Sequence, residues 1–440
     1  EKTLNQYVEQ TSKFANAAVS SRVLIEMALC QCPLDNGNFI SDIELSKLIA
    51  RASLVIQYGG LSDAIHYNVL PPELHISALG DILLKDDFGA AVVEPMLSRA
   101  SSEKYVYGAS HQQKNYDDPV HIEAVKQSFD EDFWNIWITE TKFNIDEGRN
   151  IIDSLENEGI ELQKPIFEIK REDFFKLVCS EEVSKKVAEH FLERFTLRTR
   201  KRWDIVPHEF TLDEIYPWRY GRRLSFVARP ILEIEESDNP TLLIAPGSLR
   251  MGFVYLVDGT VSGRLKQSFF QTEQMRNDWW GRAKEGHSFN REVTQNLSLN
   301  GWSVKENIEL PEILNEKLEK NYGDIDILAW RPTSKEVLVI ECKDLSLARN
   351  YSEIAALLST FQGKEDDKGK GDKLKVHLDR VTVMERNPEK VKKYTGLPEV
   401  KIISCLVFSG IVPMQFAKIE ALKNTRVGTI EEITLLFEAS

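Results

Sequence analysis

Two apolar segments separated by a polar break determine the fold of the last third of the chain: Gly323-Asp-Ile-Asp-Ile-Leu-Ala-Trp330 and Val337-Leu-Val-Ile-Glu-Cys-Lys343. The break between them, Arg331-Pro-Thr-Ser-Lys-Glu336, contains residue types that form turns. The pattern therefore predicts an antiparallel hairpin whose turn is centred on Thr333 and Ser334.

This hairpin is expected to bring acidic residues from its two strands together. With the turn centred as described, Asp326 lies directly opposite Glu341, and their Cβ atoms are expected about 5 Å apart. Lys343 follows Glu341 by two residues, so the strand pleat places both side chains on one face. Asp324 shares a face with Asp326 for the same reason.

Facing carboxylates in an apolar hairpin repel each other, and they need a cation, a shared proton or abundant water. Mg²⁺ binds one or two protein carboxylates and keeps positions open for water and phosphate oxygens. Lys343 is placed to orient or deprotonate an attacking water, or to neutralise charge on a phosphate. This combination favours phosphodiester hydrolysis. The alternative is a solvent-facing ion pair of Glu341 and Lys343, with Asp324 capping a turn.

Asp326 followed by Glu341-Cys342-Lys343 resembles the motif of the PD-(D/E)xK nuclease superfamily, which has the restriction-endonuclease-like fold. The resemblance covers roughly residues 286–410 and includes an acidic residue on an upstream helix, matched by Glu292, although Ile325 rather than Pro precedes the motif aspartate. It implies that Asp326, Glu341 and Lys343 are catalytic.

The resemblance also implies a metal site. Mg²⁺, with Mn²⁺ as a substitute, would be held by Glu292, Asp326, Glu341 and the backbone carbonyl of Cys342. Asp324 is a further candidate, and so is Gln362, because some relatives place a polar residue near the site at the end of the helix that follows the motif.

The predicted elements of the last third follow the αβββαβ order of that superfamily's core. A helix is predicted from about Ser288 to Leu299 and a first strand over residues 302–310, and the hairpin supplies two more strands. A helix over residues 345–361 and a buried strand over residues 400–408 complete the mixed sheet. The charged run at residues 363–375 is interpreted as a solvated loop, and the alternative is a segment that closes over substrate.

Composition predicts a large multidomain chain. It has 440 residues and a net charge of −14, which argues against a general polyanion binder but not against a nuclease with a local basic groove. Five cysteines without a CxxC pair suit a reducing cytoplasm. We find no run of about 18 apolar residues, so no membrane-spanning helix is predicted. Because the chain starts at Glu1 rather than Met, we expect a trimmed chain or part of a longer protein.

The chain is predicted to be a multidomain α/β protein with three parts. Residues 1–110 form a helical scaffold or partner-binding domain, with a capping box at Ser41 and Glu44. Residues 111–285 form an α/β domain, and residues 286–440 form the nuclease domain. In the middle part we expect a linker at residues 111–119, helices at 121–129 and 171–195, and strands at 224–234, 241–245, 253–256 and 264–270.

Arginines of the middle part alternate with aromatic residues. Such a pattern suits phosphate contact combined with base stacking. The alternative is that the aromatics belong to the core and the arginines to a solvated face. The candidate nucleic-acid-binding residues are Arg200, Arg202, Arg219, Arg222 and Arg223.

Together these patterns predict a cytoplasmic, Mg²⁺-dependent nuclease, most simply a DNA endonuclease, that acts as the effector of a bacterial restriction or anti-phage system. A homodimer or a larger defence complex is expected as its assembly, and no membrane partner. The alternative is a catalytically silent nuclease fold that serves as a DNA-binding or structural module within a larger assembly.

Overall fold

The computed structural model describes residues 2–32, 39–80, 82–84, 88–100, 102, 131–219, 221–261, 263, 265–280, 287–345, 347–348 and 350–432. The predicted linker at 111–119 and the helix at 121–129 lie outside these residues. Contacts divide the chain into two compact units, one of residues 1–60 with 115–285 and one of residues 61–114 with 286–440.

The α-helices, labelled here in chain order, are Lys2–Gln31 (α1), Asp42–His66 (α2), Glu131–Thr141 (α3), Ile145–Glu161 (α4), Arg171–Val178 (α5), Lys185–Phe195 (α6), Leu212–Ile215 (α7), Pro246–Val261 (α8), His287–Leu299 (α9), Leu310–Leu314 (α10), Tyr351–Ser359 (α11), Lys373–Glu385 (α12) and Pro388–Thr395 (α13). Short π-helical segments cover Gly89–Val93 and Gln274–Trp280.

The strands are Leu74–Ile76 (β1), Ile82–Leu84 (β2), Phe167–Lys170 (β3), Thr196–Arg198 (β4), Ile231–Glu233 (β5), Thr241–Ile244 (β6), Ser303–Glu309 (β7), Asp324–Trp330 (β8), Glu336–Lys343 (β9), Lys401–Phe408 (β10) and Thr425–Thr429 (β11). Strands β1 and β2 pair with each other, while the others form a four-stranded and a five-stranded mixed sheet. The predicted multidomain α/β class is confirmed at this level.

The first unit packs its helices around the four-stranded sheet in the order β3-β6-β5-β4. Its core is rich in aromatic side chains, and the rings of Phe191 and Phe195 lie 4.7 Å apart. Phe253 of α8 packs against both rings. The predicted strand at 253–256 is therefore wrong: Leu249, Phe253 and Leu256 are buried at helical spacing. The described residues at 265–270 also form no strand, and a 3₁₀ turn covers Gln267–Phe269.

A second correction concerns the helix predicted over residues 171–195. It consists of two helices, because Cys179 is extended and the Ser180 hydroxyl accepts the amides of Glu182 and Val183. The Ser184 side chain then caps α6. Polar side chains that bond to nearby backbone offer an alternative to helix continuation, which explains the break. The predicted capping box at the start of α2 is confirmed, because Ser41 N donates to Glu44 Oε2 over 2.9 Å and Glu44 N donates to Ser41 Oγ over 3.3 Å.

The second unit contains the five-stranded sheet in the order β11-β10-β9-β8-β7. Strands β7, β8 and β9 are antiparallel neighbours, whereas β10 runs parallel to both β9 and β11. Helix α9 covers one face through Phe289, Val293 and Leu297. Helices α12 and α13 cover the other face.

Several predicted elements of this unit differ from those observed. Helix α11 begins only at Tyr351, where the Asn350 side chain caps it by accepting the amide of Glu353. The predicted loop ends at Lys373, where the Asp372 side chain caps α12 by accepting the amide of Lys375. Neither α12, α13 nor β11 is predicted from the sequence. Mixed charge along residues 363–375 hides a helix start whose apolar positions begin only at Leu374.

Candidate functional site

The hairpin of β8 and β9 places Asp326 and Glu341 at its open end. Its paired residues run from Trp330–Val337 to Ile327–Ile340, the register that a turn centred on Thr333 and Ser334 predicts. The next step of that register brings Asp326 beside Glu341. The acidic pair therefore lies where the antiparallel ladder ends.

Asp326 also lies at an interruption of the ladder between β7 and β8. That ladder pairs Glu306 with Ile327 and Ile308 with Ile325, and it skips the position between them. The skipped residue of β7, Asn307, has a left-handed backbone with φ of 50°. Ile325 and Ile327 consequently join the apolar clusters on opposite faces of the sheet, although regular strand geometry would place them on one face. In this stretch the Asp326 carboxylate lies against β9, where it accepts the amide of Cys342.

The Asp326 carboxylate is bound by its neighbour strand. Its Oδ2 accepts the backbone amide of Cys342 over 2.8 Å and lies 3.4 Å from the Lys343 ammonium. Burial raises the pKa of Asp326, and the nearby Glu341 charge raises it further, while Lys343 opposes both. Protons or a cation are therefore attracted to this position.

The Glu341 carboxylate is nearly buried and is surrounded by cations. Oε1 lies 2.7 Å from Lys343 Nζ, and Oε2 accepts from Arg380 Nη1 over 2.7 Å. Burial on its own would raise the pKa of Glu341, but Lys343, Arg380 and His377 together lower it below its ordinary value. Glu341 is therefore held ionised beside a second carboxylate whose pKa is raised.

Helix α12 supplies two residues that the sequence does not identify, Arg380 and His377. Besides Glu341, Arg380 contacts the loop before β8, where its Nε donates to the Tyr322 carbonyl over 2.9 Å. His377 and Arg380 are three residues apart, which places them on one face of a helix. Nothing in this spacing indicates that α12 packs on the face of β9 that carries Glu341.

His377 is fully buried between the site and strand β10. Its Nε2 lies 3.0 Å from Ser404 Oγ, which in turn lies 2.9 Å from Thr425 Oγ1. Its Nδ1 lies 3.8 Å from Glu341 Oε2 and has no hydrogen-bond partner within the described residues. Burial lowers the pKa of His377 to about 4, so the imidazole is neutral at pH 7.

The structure does not bring every predicted ligand to this cluster. Glu292 lies on the exposed side of α9, and among the described residues no hydrogen bond or ion pair joins it to Asp326, Glu341 or Lys343. Asp324 is exposed, and its backbone lies opposite that of Glu309 in the neighbouring strand β7. Gln362 lies beyond the end of α11, where its side chain donates to the Leu358 carbonyl over 2.8 Å. The roles predicted for these three residues stay predictions.

A family comparison covers nearly the whole chain. The model of a family described as "Upx-like: Anti-phage protein Upx-like" matches residues 1–434. The chain belongs to the Upx-like anti-phage protein family. No curated protein and no solved structure matches the chain.

Membership in the Upx-like family supports the predicted role in anti-phage defence. Within the described residues, no helix is both long and apolar enough to cross a membrane. The restriction-endonuclease-like core and its chemistry are not part of the family description, and both stay predictions.

The arginines predicted to bind nucleic acid make ion pairs within the first unit of this Upx-like chain. Arg222 is buried and bonds to Glu26, and Arg223 bonds to Glu214 over 2.7 Å. Arg202 and Arg219 pair with Asp204 and Asp213 at 2.6 Å each. Arg200 donates to the carbonyl of Trp203. These pairs engage much of the charge that phosphate contacts would need, and nucleic-acid binding by these arginines stays a prediction.

A hard divalent cation matches the chemistry of the Asp326–Glu341 pair. Mg²⁺ needs only one or two protein carboxylates and keeps several water ligands. Both Glu341 oxygens already bond to cationic side chains. Because each carboxylate oxygen has two lone pairs, a metal ion at this position would bind beside these contacts or in place of one of them. No cluster of three or more potential metal ligands occurs among the described residues.

Proposed function

We propose that this Upx-like protein is a metal-dependent nuclease whose catalytic centre contains Asp326, Glu341 and Lys343. The observation that supports the proposal is the meeting of these three side chains at the open end of one hairpin, with Lys343 Nζ 3.4 Å from Asp326 and 2.7 Å from Glu341. Two carboxylates and a lysine are the groups that metal-assisted phosphodiester hydrolysis requires. A role in anti-phage defence agrees with cutting of nucleic acid, DNA being favoured.

The proposed roles follow from the surroundings of each group. Asp326 and Glu341 would hold Mg²⁺ or Mn²⁺, with Glu292 and the Cys342 carbonyl as further predicted ligands. When bound, such an ion polarises a phosphate oxygen and lowers the pKa of a bound water. The Lys343 ammonium lies between both carboxylates, where it orients that water and balances charge that develops on the phosphate.

Arg380 holds the second oxygen of Glu341 and at the same time the carbonyl of Tyr322. Because one guanidinium fixes both the end of β9 and the loop before β8, it positions the two halves of the centre relative to each other. His377 lies with its Nδ1 3.8 Å from Glu341 Oε2, and because burial lowers its pKa to about 4, its positive charge acts on Glu341 only in acid and is absent at pH 7.

A second candidate function is a silent nuclease-like module that binds nucleic acid without cutting it. One observation favours it: both Glu341 oxygens are engaged by Lys343 and Arg380, as in a structural ion-pair network. Metal dependence separates the two, because a binding module has no need of Mg²⁺.

The decisive experiment is cleavage of plasmid, linear duplex and single-stranded DNA in Mg²⁺, Mn²⁺ or EDTA. We expect cutting in either metal, none in EDTA, and a loss of at least about 100-fold for Glu341→Gln or Lys343→Ala.

A matched control is Glu336→Gln. Glu336 is a buried glutamate of the same strand that pairs with an arginine, Arg426, at 2.8 Å. Retained cutting in this variant excludes a general loss of folding. Metal-dependent cutting at the wild-type rate in both Glu341→Gln and Lys343→Ala would overturn the assignment.

A further inference from the structure

A recess with a volume of about 440 Å³ opens in the second unit between the end of α11 and the start of α12. Tyr67, Asn68 and Thr360 form part of its wall, and residues 364–366 and 370–373 form another part. Its volume falls within the range of small-ligand sites and is large enough for one nucleotide-sized group.

The acidic residues of the recess are already engaged. Asp372 accepts the backbone amides of Gln362, Lys364 and Lys375 over 2.8, 3.2 and 2.8 Å. Asp366 accepts two backbone amides of its own turn, those of Lys368 and Lys370. Glu365 lies 3.4 Å from the Lys375 ammonium. The carboxylates of Asp366 and Asp372 are therefore bound to nearby backbone amides, and that of Glu365 is bound to Lys375 of α12.

The lysines of the recess differ from these acids. Lys364 and Lys370 are exposed, and within the part of the chain that the structure describes their ammonium groups make no hydrogen bond or ion pair. Lys373, the first residue of α12, adds a third ammonium to the wall. The recess wall thus carries three lysines against three carboxylates, and because these carboxylates are bound to backbone amides or to Lys375, Lys364 and Lys370 are the groups placed to meet an anionic ligand.

The recess and the candidate centre share helix α12. The helix starts at Lys373 in the recess and carries Arg380, which contacts Glu341. Seven residues of α-helix span about 10 Å. Lys373 in the recess wall therefore lies about 10 Å along the helix axis from Arg380, a separation that a nucleic-acid strand held at Glu341 would have to span.

We propose that this recess binds backbone phosphates of the nucleic-acid strand that the centre at Asp326 and Glu341 receives. The proposal rests on the proposed nuclease function and adds a substrate-binding site to it. Lys364, Lys370 and Lys373 neutralise phosphates, and the hydroxyl and amide groups of the wall accommodate the sugar. Phosphate contacts of this kind position a strand without reading its sequence.

The test is fluorescence anisotropy of a labelled 20-nucleotide single-stranded DNA with the full chain in EDTA, where metal-dependent cutting is blocked. We expect the double variant Lys364→Glu, Lys370→Glu to bind about tenfold more weakly than the wild type. Its slope of log K against log salt should fall by about 1.4, because each phosphate contact on a single strand contributes about 0.7.

The control is the double variant Lys317→Glu, Lys393→Glu, which makes the same charge change at two exposed lysines of the same unit outside the recess. Binding within about twofold of the wild type is expected there. Equal weakening by both double variants would overturn the proposal, since it would report net charge alone. Recess-dependent binding of a free nucleoside monophosphate, with no recess-dependent binding of the strand, would overturn it as well.

Cleavage assays separate this proposal from the nuclease assignment. Full cutting and full strand binding by the recess variant would overturn the proposed role of the recess and leave the nuclease assignment standing. Recess-dependent strand binding by a chain that never cuts would support the recess and overturn the proposed hydrolysis. For an active enzyme, we expect the recess variant to raise KM, whereas Lys343→Ala lowers kcat.

Discussion

The two carboxylates of the candidate centre have opposite surroundings. Burial and the neighbouring charge of Glu341 raise the pKa of Asp326, whereas Lys343 and Arg380 hold the pKa of Glu341 below its ordinary value against the effect of burial. Carboxyl groups whose pKa values are pushed apart take different roles in acid–base chemistry. Glu341 is therefore the fixed anion of the pair, and Asp326 is the group that gains most from a bound cation.

Gly323 has a backbone conformation that favours glycine, and it lies close to the Arg380 side chain. It has a φ of +69°, and a Cβ added there would lie 3.1 Å from Arg380 Nη2. We expect Gly323→Ala to destabilise the fold by about 1–2 kcal/mol, because an L side chain is strained in this conformation. We also expect it to lower cleavage, because Arg380 has to shift. Urea unfolding and cleavage rates measure the two effects.

Gly301→Ala is the control for this prediction. Gly301 has a similar φ of +79°, but a Cβ there meets no atom within 4 Å. It should lose similar stability and keep full cleavage activity. Equal activity of the two variants would show that the position of Arg380 does not matter for the reaction.

The ion pair of Glu214 and Arg223 predicts a pH-dependent stability. Burial raises the pKa of Glu214, but bonds to Arg223 and to the Thr211 amide outweigh it and lower the pKa below 4.5. A group with a depressed folded pKa stabilises the fold above its unfolded pKa, and this stability is lost as the pH falls through the folded pKa. Glu214→Gln should therefore cost on the order of 3 kcal/mol at pH 7, since it leaves Arg223 unpaired.

This difference from the wild type should begin to shrink as the pH falls through about 4.5, the ordinary pKa of a glutamate, and should be lost only below the depressed pKa of Glu214 in the folded protein. Chemical denaturation at pH 7, 5 and 3 measures it. Asp173→Asn, which breaks an exposed ion pair with Lys176, should cause no measurable change at any of these pH values. A Glu214→Gln effect that stays constant with pH would contradict the argument.

Sequence alone could predict the part of the site that is local along the chain. The positions of Asp326, Glu341 and Lys343 follow from strand periodicity and from the centre of one turn. Arg380 could not be predicted in this way, because its contact with Glu341 depends on which face of the sheet α12 covers. That choice is made by Val381 and Met384 packing on β8 and β9, which no local pattern encodes.

Helices α4 and α8 pack so closely that a single added methyl group tests their contact. Gly148 is buried in α4, and a Cβ there would lie 2.6 Å from a ring atom of Phe253 in α8. We expect Gly148→Ala to destabilise the first unit by about 1–3 kcal/mol through overpacking. Adding Phe253→Leu should make the double variant less destabilised than the sum of the two single changes. Thermal unfolding measures all three variants.

Gly247→Ala is the matched control, since a Cβ at this position in the first turn of α8 meets no atom within 4 Å. Here the better helix propensity of alanine should leave stability unchanged or raise it by up to about 1 kcal/mol. If Gly148→Ala proved as stable as Gly247→Ala, the two helices would be packed less closely than described.

The elements that could be predicted are those whose apolar pattern has only one interpretation. The run Val337–Ile340 is too short for a typical helix, ends in polar residues and forms the interior of β9. Residues 253–256 show the opposite case, because a short apolar run within a helix has the same composition as a buried strand. Only the burial of Leu249 and Phe253 on one face identifies α8.

For the whole molecule, charge limits where a nucleic acid can bind. The chain carries 69 acidic and 55 basic residues, so its average surface repels phosphates. The five candidate arginines of the first unit are engaged in ion pairs or backbone contacts, while Lys364 and Lys370 of the second unit make no ion pair with any residue that the structure describes. This difference is why we propose the recess at α12, rather than these arginines, as the place where a strand makes contact.

Protection against phage tests whether this centre serves the function of the family. Bacteria that express the wild-type chain should reduce phage plating, and Glu341→Gln should remove this protection, because the fixed anion of the pair is lost. Glu336→Gln should protect like the wild type at equal protein level, since it alters a buried ion pair of the same strand away from the centre. Full protection by Glu341→Gln would separate defence from hydrolysis at this site and favour the silent nucleic-acid-binding module, whose recess lysines would then be the residues that protection requires.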